Sequence, residues 1–137
     1  MQKFSVSFCD PIEPEMIAWG DMAPDAILDH FEKIDWKAYL KKSMEAKLDE
    51  IYFNPSFEVL HLESNNGLCI AAVGVPDNYA FSITYNRPKK AKSFLGRMDK
   101  VTENDSTGKE GQSAADAIDC LKAFLSAETV FLARKGF

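Results

Sequence analysis

The chain has 137 residues, 46% of them hydrophobic and 27% charged, with 21 acidic side chains against 16 basic ones and a net charge of −5. That length suits one domain able to bury a core without disulfide or metal staples, and the acidic balance excludes a generally basic nucleic-acid binder. The longest uninterrupted apolar run, Leu68 to Val73, falls far short of the roughly 20 residues that span a bilayer.

Phe4, Val6 and Phe8 alternate with Ser5 and Ser7, which predicts a half-buried first strand ended by Asp10-Pro11 rather than a secretory signal. The stretch through Met22, with two prolines, scattered acids and Trp19-Gly20, reads as a loop with at most one helical turn. Pro24 stands where a helix begins, and Ile27, Leu28, Phe31 and Ile34 recur at helical spacing to about Ile34. Asp35 caps a second helix, in which Trp36, Leu40, Met44 and Leu48 repeat every four residues and Tyr39 widens the stripe.

Three apolar runs follow, Phe57 to Glu63, Leu68 to Val75 and Tyr79 to Tyr85, separated by Ser64-Asn65-Asn66-Gly67 and Pro76-Asp77-Asn78. Short runs joined by such turns predict a β-meander. The run Leu68 to Val73 is apolar at both parities, as in a strand covered on both faces at a sheet centre. Tyr79, Phe81, Ile83 and Tyr85 form a bulky face, opposed by a thin one of Ala80, Ser82 and Thr84.

Phe94, Leu95 and Met98 through Val101 permit one more strand, and Thr102 to Gln112, polar with two glycines, reads as an exposed loop. Ser113 with Asp116 is a capping-box variant opening a helix through Ala117, Ile118, Leu121, Phe124 and Leu125. Thr129 to Ala133 reads as a short closing edge strand. The expected fold is a single α+β domain over residues 1–137: one antiparallel sheet of about four to six strands, packed against N-terminal helices and one C-terminal helix.

Charge is distributed in blocks. Up to Asp35 the acids Asp10, Glu13, Glu15, Asp21, Asp25, Asp29, Glu32 and Asp35 face only Lys3 and Lys33, whereas Arg87 to Arg97 carries five basic residues and no acid. Such asymmetry can steer a charged partner. The basic segment includes Phe94, but one segment without a basic second element does not make a nucleic-acid groove. Cys9, Cys69 and Cys120 are odd in number and far apart, without a CxxC, which points to structural thiols and a reducing compartment.

Catalytic signals are thin. His61 and Glu63 are two apart on an expected strand and would share a face, the geometry of an acid/base pair or two metal ligands. A zinc site needs further ligands, and His30-Phe31-Glu32 has no downstream PCxxC. Gly108-Lys109 is followed by Glu110 and lacks the phosphate-loop frame, and no GxSxG or GxGxxG occurs. No enzyme, cofactor or metal is expected.

The segment Ala117-Ile118-Asp119-Cys120-Leu121-Lys122-Ala123-Phe124-Leu125-Ser126 resembles the closing helix of immunity proteins associated with bacterial deaminase-type polymorphic toxins. In that family a helix with Ala, Leu and Phe at these intervals follows a small antiparallel sheet. With the helix before the sheet, the resemblance spans Asp35 to Leu132. It implies a cytoplasmic, non-enzymatic protein that binds and blocks a cognate toxin domain, and it transfers no functional residue because the matching positions are core.

The expected function is therefore a protein-binding inhibitor. Its candidate contacts, chosen for charge and loop position, are Asp49, Glu50, Asp77, Glu103 and Asp105. The alternative is a small-molecule or lipid-binding module with a pocket between sheet and helices lined by Trp36, Tyr79, Phe81 and Tyr85.

Overall fold

The alternating residues sort onto two faces of one sheet. The computed structural model describes residues 4–88 and 104–126. They form β1 (Phe4–Cys9), β2 (Ile17–Met22), α1 (Pro24–Glu32), α2 (Trp36–Glu45), a 3-10 turn (Leu48–Glu50), β3 (Ser56–His61), β4 (Gly67–Val75), β5 (Asn78–Pro88), β6 (Asn104–Gln112) and α3 (Ala114–Leu125). The strands make a six-stranded antiparallel sheet in the order β2-β1-β3-β4-β5-β6, the expected α+β fold.

Register aligns the bulky parity across the strands. Phe8, Phe57, Ile70 and Ile83 form one inward row, and Val6, Val59, Leu68 and Tyr85 the next. All are buried, and the helices bring Ile27, Phe31, Trp36, Leu40, Ala117, Leu121 and Phe124 into the same cluster. Aromatic edges tie it together: Trp36 lies 5.3 Å from Phe81, Phe31 5.4 Å from Phe57, and Phe124 5.9 Å from Phe4. A one-residue slip of any strand would exchange this face for Ser5, Ser7, Ser82 and Thr84, so the apolar pattern fixes the register.

Local signals set the helix ends. The Asp35 carboxylate accepts from the Ala38 N–H at 3.1 Å at the start of α2. At α3 the Ser113 hydroxyl accepts from the Asp116 N–H at 3.1 Å and the Asp116 carboxylate accepts from the Ser113 N–H at 3.3 Å. These reciprocal bonds satisfy donors that a helix start leaves without intrahelical partners.

Several expectations are corrected. The residues before Pro24 include strand β2, and Asn104–Gln112 is strand β6 rather than a loop. Both are edge strands held through backbone pairing, which polar sequences such as NDSTGKEGQ make as well as apolar ones. The stripe on α2 ends at Leu40: Met44 is 61% exposed, and Leu48, 90% exposed, lies beyond the helix. A four-residue step overshoots a 3.6-residue turn, so each repeat drifts away from the buried face.

The described helices pack on one face only, so β4 is not sandwiched; Cys69 and Ala71 are half-buried and Val73 is exposed. At the β4–β5 turn Gly74 has φ +138°, and a Cβ there would meet the Asn78 carbonyl oxygen at 2.5 Å. The turn requires glycine. The strands expected within 94–101 and 129–133 lie outside the described residues.

Candidate partner-binding surface

Between α2 and β3 the chain crosses a surface built from three segments. The buried Asp10 holds them: one carboxylate oxygen accepts from the Ile12 N–H at 3.1 Å, and the other accepts from Lys42 Nζ of α2 at 2.9 Å. Past the 3-10 turn, the Tyr52 N–H donates to the Pro11 carbonyl at 2.8 Å. The exit of β1, the end of α2 and the entry to β3 are thereby fastened side by side.

They enclose a hollow of about 440 Å³ lined by Ile12, Lys42, Glu45, Ala46, Asp49, Glu50 and Tyr52. Leu48 stands one residue before Asp49. Ile12 is 37% exposed and Tyr52 55%. Lys42 is committed to Asp10, and the Glu50 carboxylate accepts only from the Lys47 N–H, at 3.1 Å. Among the described residues Glu45, Asp49 and Glu50 have no cationic partner within ion-pair distance. The result is an acid-rimmed patch that exposes Ile12 and Tyr52 beside three carboxylates without a cationic partner among the described residues.

The structure brings together two of the five expected contacts, Asp49 and Glu50. Asp77 is elsewhere, on the β4–β5 turn, where it pairs with Lys37 at 2.9 Å. Its carboxylate hydrogen-bonds Lys37 and holds that ammonium above its usual range. With Lys41, Met44, Val75 and Pro76 these two residues line a second hollow of about 490 Å³. Asp105 falls on edge strand β6, opposite Arg87 in the register. Glu103, and the basic run from residue 89 to 97, lie outside the described residues. Sequence reasoning missed Ile12, Leu48 and Tyr52; prolines and scattered acids hid the first, and the extrapolated helical stripe hid the second.

The four residues of the expected alternative pocket enclose none of the hollows found among the described residues. Trp36, Phe81 and Tyr85 belong to the packed core, and Tyr79, at the rim, touches Phe81 edge-on with centroids 5.7 Å apart.

The expected His61–Glu63 pair is not formed, because β3 ends at His61 and Glu63 lies in the turn that follows. His61 Nδ1 is 2.7 Å from the Ser64 hydroxyl and accepts from the Ser64 N–H at 3.2 Å, while the Ser64 hydroxyl accepts from the Asn66 N–H at 3.1 Å. With the Asn65 N–H donating to the His61 carbonyl at 2.8 Å, the histidine braces the β3–β4 turn and holds Asn65 at φ +63°. Among the described residues no group of three His, Cys, Asp or Glu side chains is placed to hold a metal ion. No helix among them is long and apolar enough to cross a membrane.

Cys120 is buried in α3, whereas Cys9 and Cys69 lie on either side of β3, on the face of the sheet that no described helix covers. Strands two places apart are separated by about 9.5 Å, too far for a disulfide. Burial first, then the Glu58 charge and its 3.5 Å contact with Cys9 Sγ, push the Cys9 thiol up to about 11. Burial and the same carboxylate push Cys69 up to about 12. Neither is a nucleophile near neutral pH.

Comparison with protein-family models, with curated proteins and with solved structures finds no match to this chain.

Proposed function

We propose that this chain is a protein-binding inhibitor whose contact surface is the acid-rimmed patch formed by Ile12, the end of α2, the 3-10 turn and Tyr52. The observation that carries the reading is Leu48, 90% exposed beside Asp49 and Glu50, whose carboxylates have no cationic partner among the described residues. An isolated exposed leucine is ordinary, but this one adjoins in the chain a hollow whose lining includes the exposed Ile12 and Tyr52, and exposed apolar side chains set among charged ones have the make-up of an interface. The acidic rim selects a basic partner, because complementary fields accelerate encounter and disfavour partners of like charge. Together with the resemblance of α3 and the sheet to toxin-immunity proteins, this favours a basic toxin domain as the protein bound and blocked.

The test uses the purified protein as bait in a lysate of its source organism at low and moderate salt, beside the charge-reversed variant Asp49→Lys/Glu50→Lys. The reading expects a stoichiometric basic polypeptide that the wild type retains at low salt, retains less as salt rises, and that the variant loses. Retention of the same polypeptide by the variant, or of none by the wild type, contradicts it.

A further inference from the structure

The face of the sheet that no described helix covers carries a further polar concavity. Two outward rows cross it: Ser5, Leu60, Gly67 and Asn86 in one, and Ser7, Glu58, Cys69 and Thr84 in the other. Between them lies a hollow of about 250 Å³, whose lining includes Met16, Leu60, Asn65, Gly67 and Glu58. The turn braced by His61 and Ser64 fixes Asn65 on the rim.

Gly67 opens this hollow without being needed by the backbone. A Cβ there would lie 3.5 Å from the Val59 carbonyl oxygen and 3.9 Å from the Leu60 side chain, ordinary contact distances, in contrast to the clash at Gly74. The absent side chain leaves room in the sheet face rather than permitting a strained conformation.

Glu58 is the unbalanced charge of that room. It is half-buried on an interior strand and accepts a hydrogen bond from the Cys9 thiol, a weak donor. The buried Asp10 has a lysine at 2.9 Å, whereas Glu58 has no cation within ion-pair distance among the described residues. Asp21, opposite Ser5 on β2, adds charge of the same sign to this face. A ligand that supplies the missing counter-charge gains a charge-assisted hydrogen bond.

We propose that this hollow binds one guanidinium or primary ammonium group, paired with Glu58 and flanked by the Ser5 and Ser7 hydroxyls, with its alkyl stem against Met16 and Leu60. The size fits such a group on a short stem and excludes a large cofactor. A free amine or a lysine or arginine of a bound protein supplies the same chemistry. The site lies apart from the acid-rimmed patch and does not depend on it.

The test is a chemical-shift titration of the isotopically labelled full chain with agmatine, with butylurea as the uncharged control. The expected result is saturable shifts at Ser7, Glu58, Leu60, Gly67 and Cys69 with agmatine and none with butylurea. Glu58→Gln weakens the apparent affinity at least about tenfold, roughly the loss of one charge-assisted contact. Gly67→Ala, which the geometry accommodates, also weakens it by partly filling the hollow, and its unchanged spectrum elsewhere shows an intact fold. An equal response to butylurea, an unchanged affinity in Glu58→Gln, or saturable shifts confined to Asp49 and Glu50 overturns the proposal. Shifts at the same residues with a captured protein, reversed by agmatine, assign the group to a side chain; saturation by agmatine alongside a bound protein assigns it to a free amine.

Discussion

Glu58 and its two neighbouring cysteines yield a prediction whose size follows from the structure. With Cys9 pushed up to about 11 and Cys69 up to about 12, the thiolate fraction at pH 8 falls far below that of an ordinary cysteine. Against a reference thiol near 9, Cys9 is expected to alkylate about 100-fold more slowly and Cys69 about 1,000-fold more slowly, before any steric shielding is counted. Burial is the largest cause at both sites, so Glu58→Gln restores only part of the rate. It accelerates Cys9 more than Cys69, because Glu58 acts on Cys9 through both charge and a hydrogen bond and on Cys69 through charge alone. The sign for stability follows directly: the folded thiols hold their protons to higher pH than the unfolded ones. Stability is therefore retained below about pH 9 and lost as pH rises toward 11 and 12. Timed iodoacetamide labelling at pH 8, resolved by peptide mass spectrometry, reads both rates against a short cysteine peptide. Labelling of Cys9 within tenfold of that peptide, or no acceleration in Glu58→Gln, refutes the placement of Glu58 between the two thiols.

Two further outcomes concern the fold. Gly74→Ala meets backbone at 2.5 Å with φ +138° and is expected to cost about 2 kcal/mol or more in urea unfolding, whereas Gly67→Ala stays near neutral; equal effects would contradict the two geometries. Ser113→Ala removes the bond to the Asp116 N–H at the start of α3 and is expected to cost about 1 kcal/mol by the same measurement.

What the sequence disclosed was whatever local pattern dictates. Phe4, Val6 and Phe8, and Tyr79 through Tyr85, announce their strands because burial on one face demands alternation, and Asp35 and Ser113 announce their helices because the caps act within three residues. Edge strands β2 and β6 left no such mark, since a strand held mainly by backbone pairing needs no apolar rhythm. Asp49 and Glu50 were legible as exposed acids, but their grouping with Ile12 depends on the Tyr52 to Pro11 hydrogen bond, between residues 41 positions apart in the chain. Glu58 stood unnoticed inside an apolar run; only the register that sets it beside Ser7 and Cys69 reveals a charge facing small polar residues.

The central claim, that the acid-rimmed patch is the contact surface, is tested most directly by the dissociation constant of the captured partner for wild type and Leu48→Ala. Leu48 supports no core contact, so the unfolding free energy should stay within about 0.5 kcal/mol of wild type. Burying such a side chain in a complex contributes about 1.5–3 kcal/mol, so binding should weaken about 10- to 100-fold. An unchanged dissociation constant in a stably folded Leu48→Ala would place the partner on another face and contradict the account.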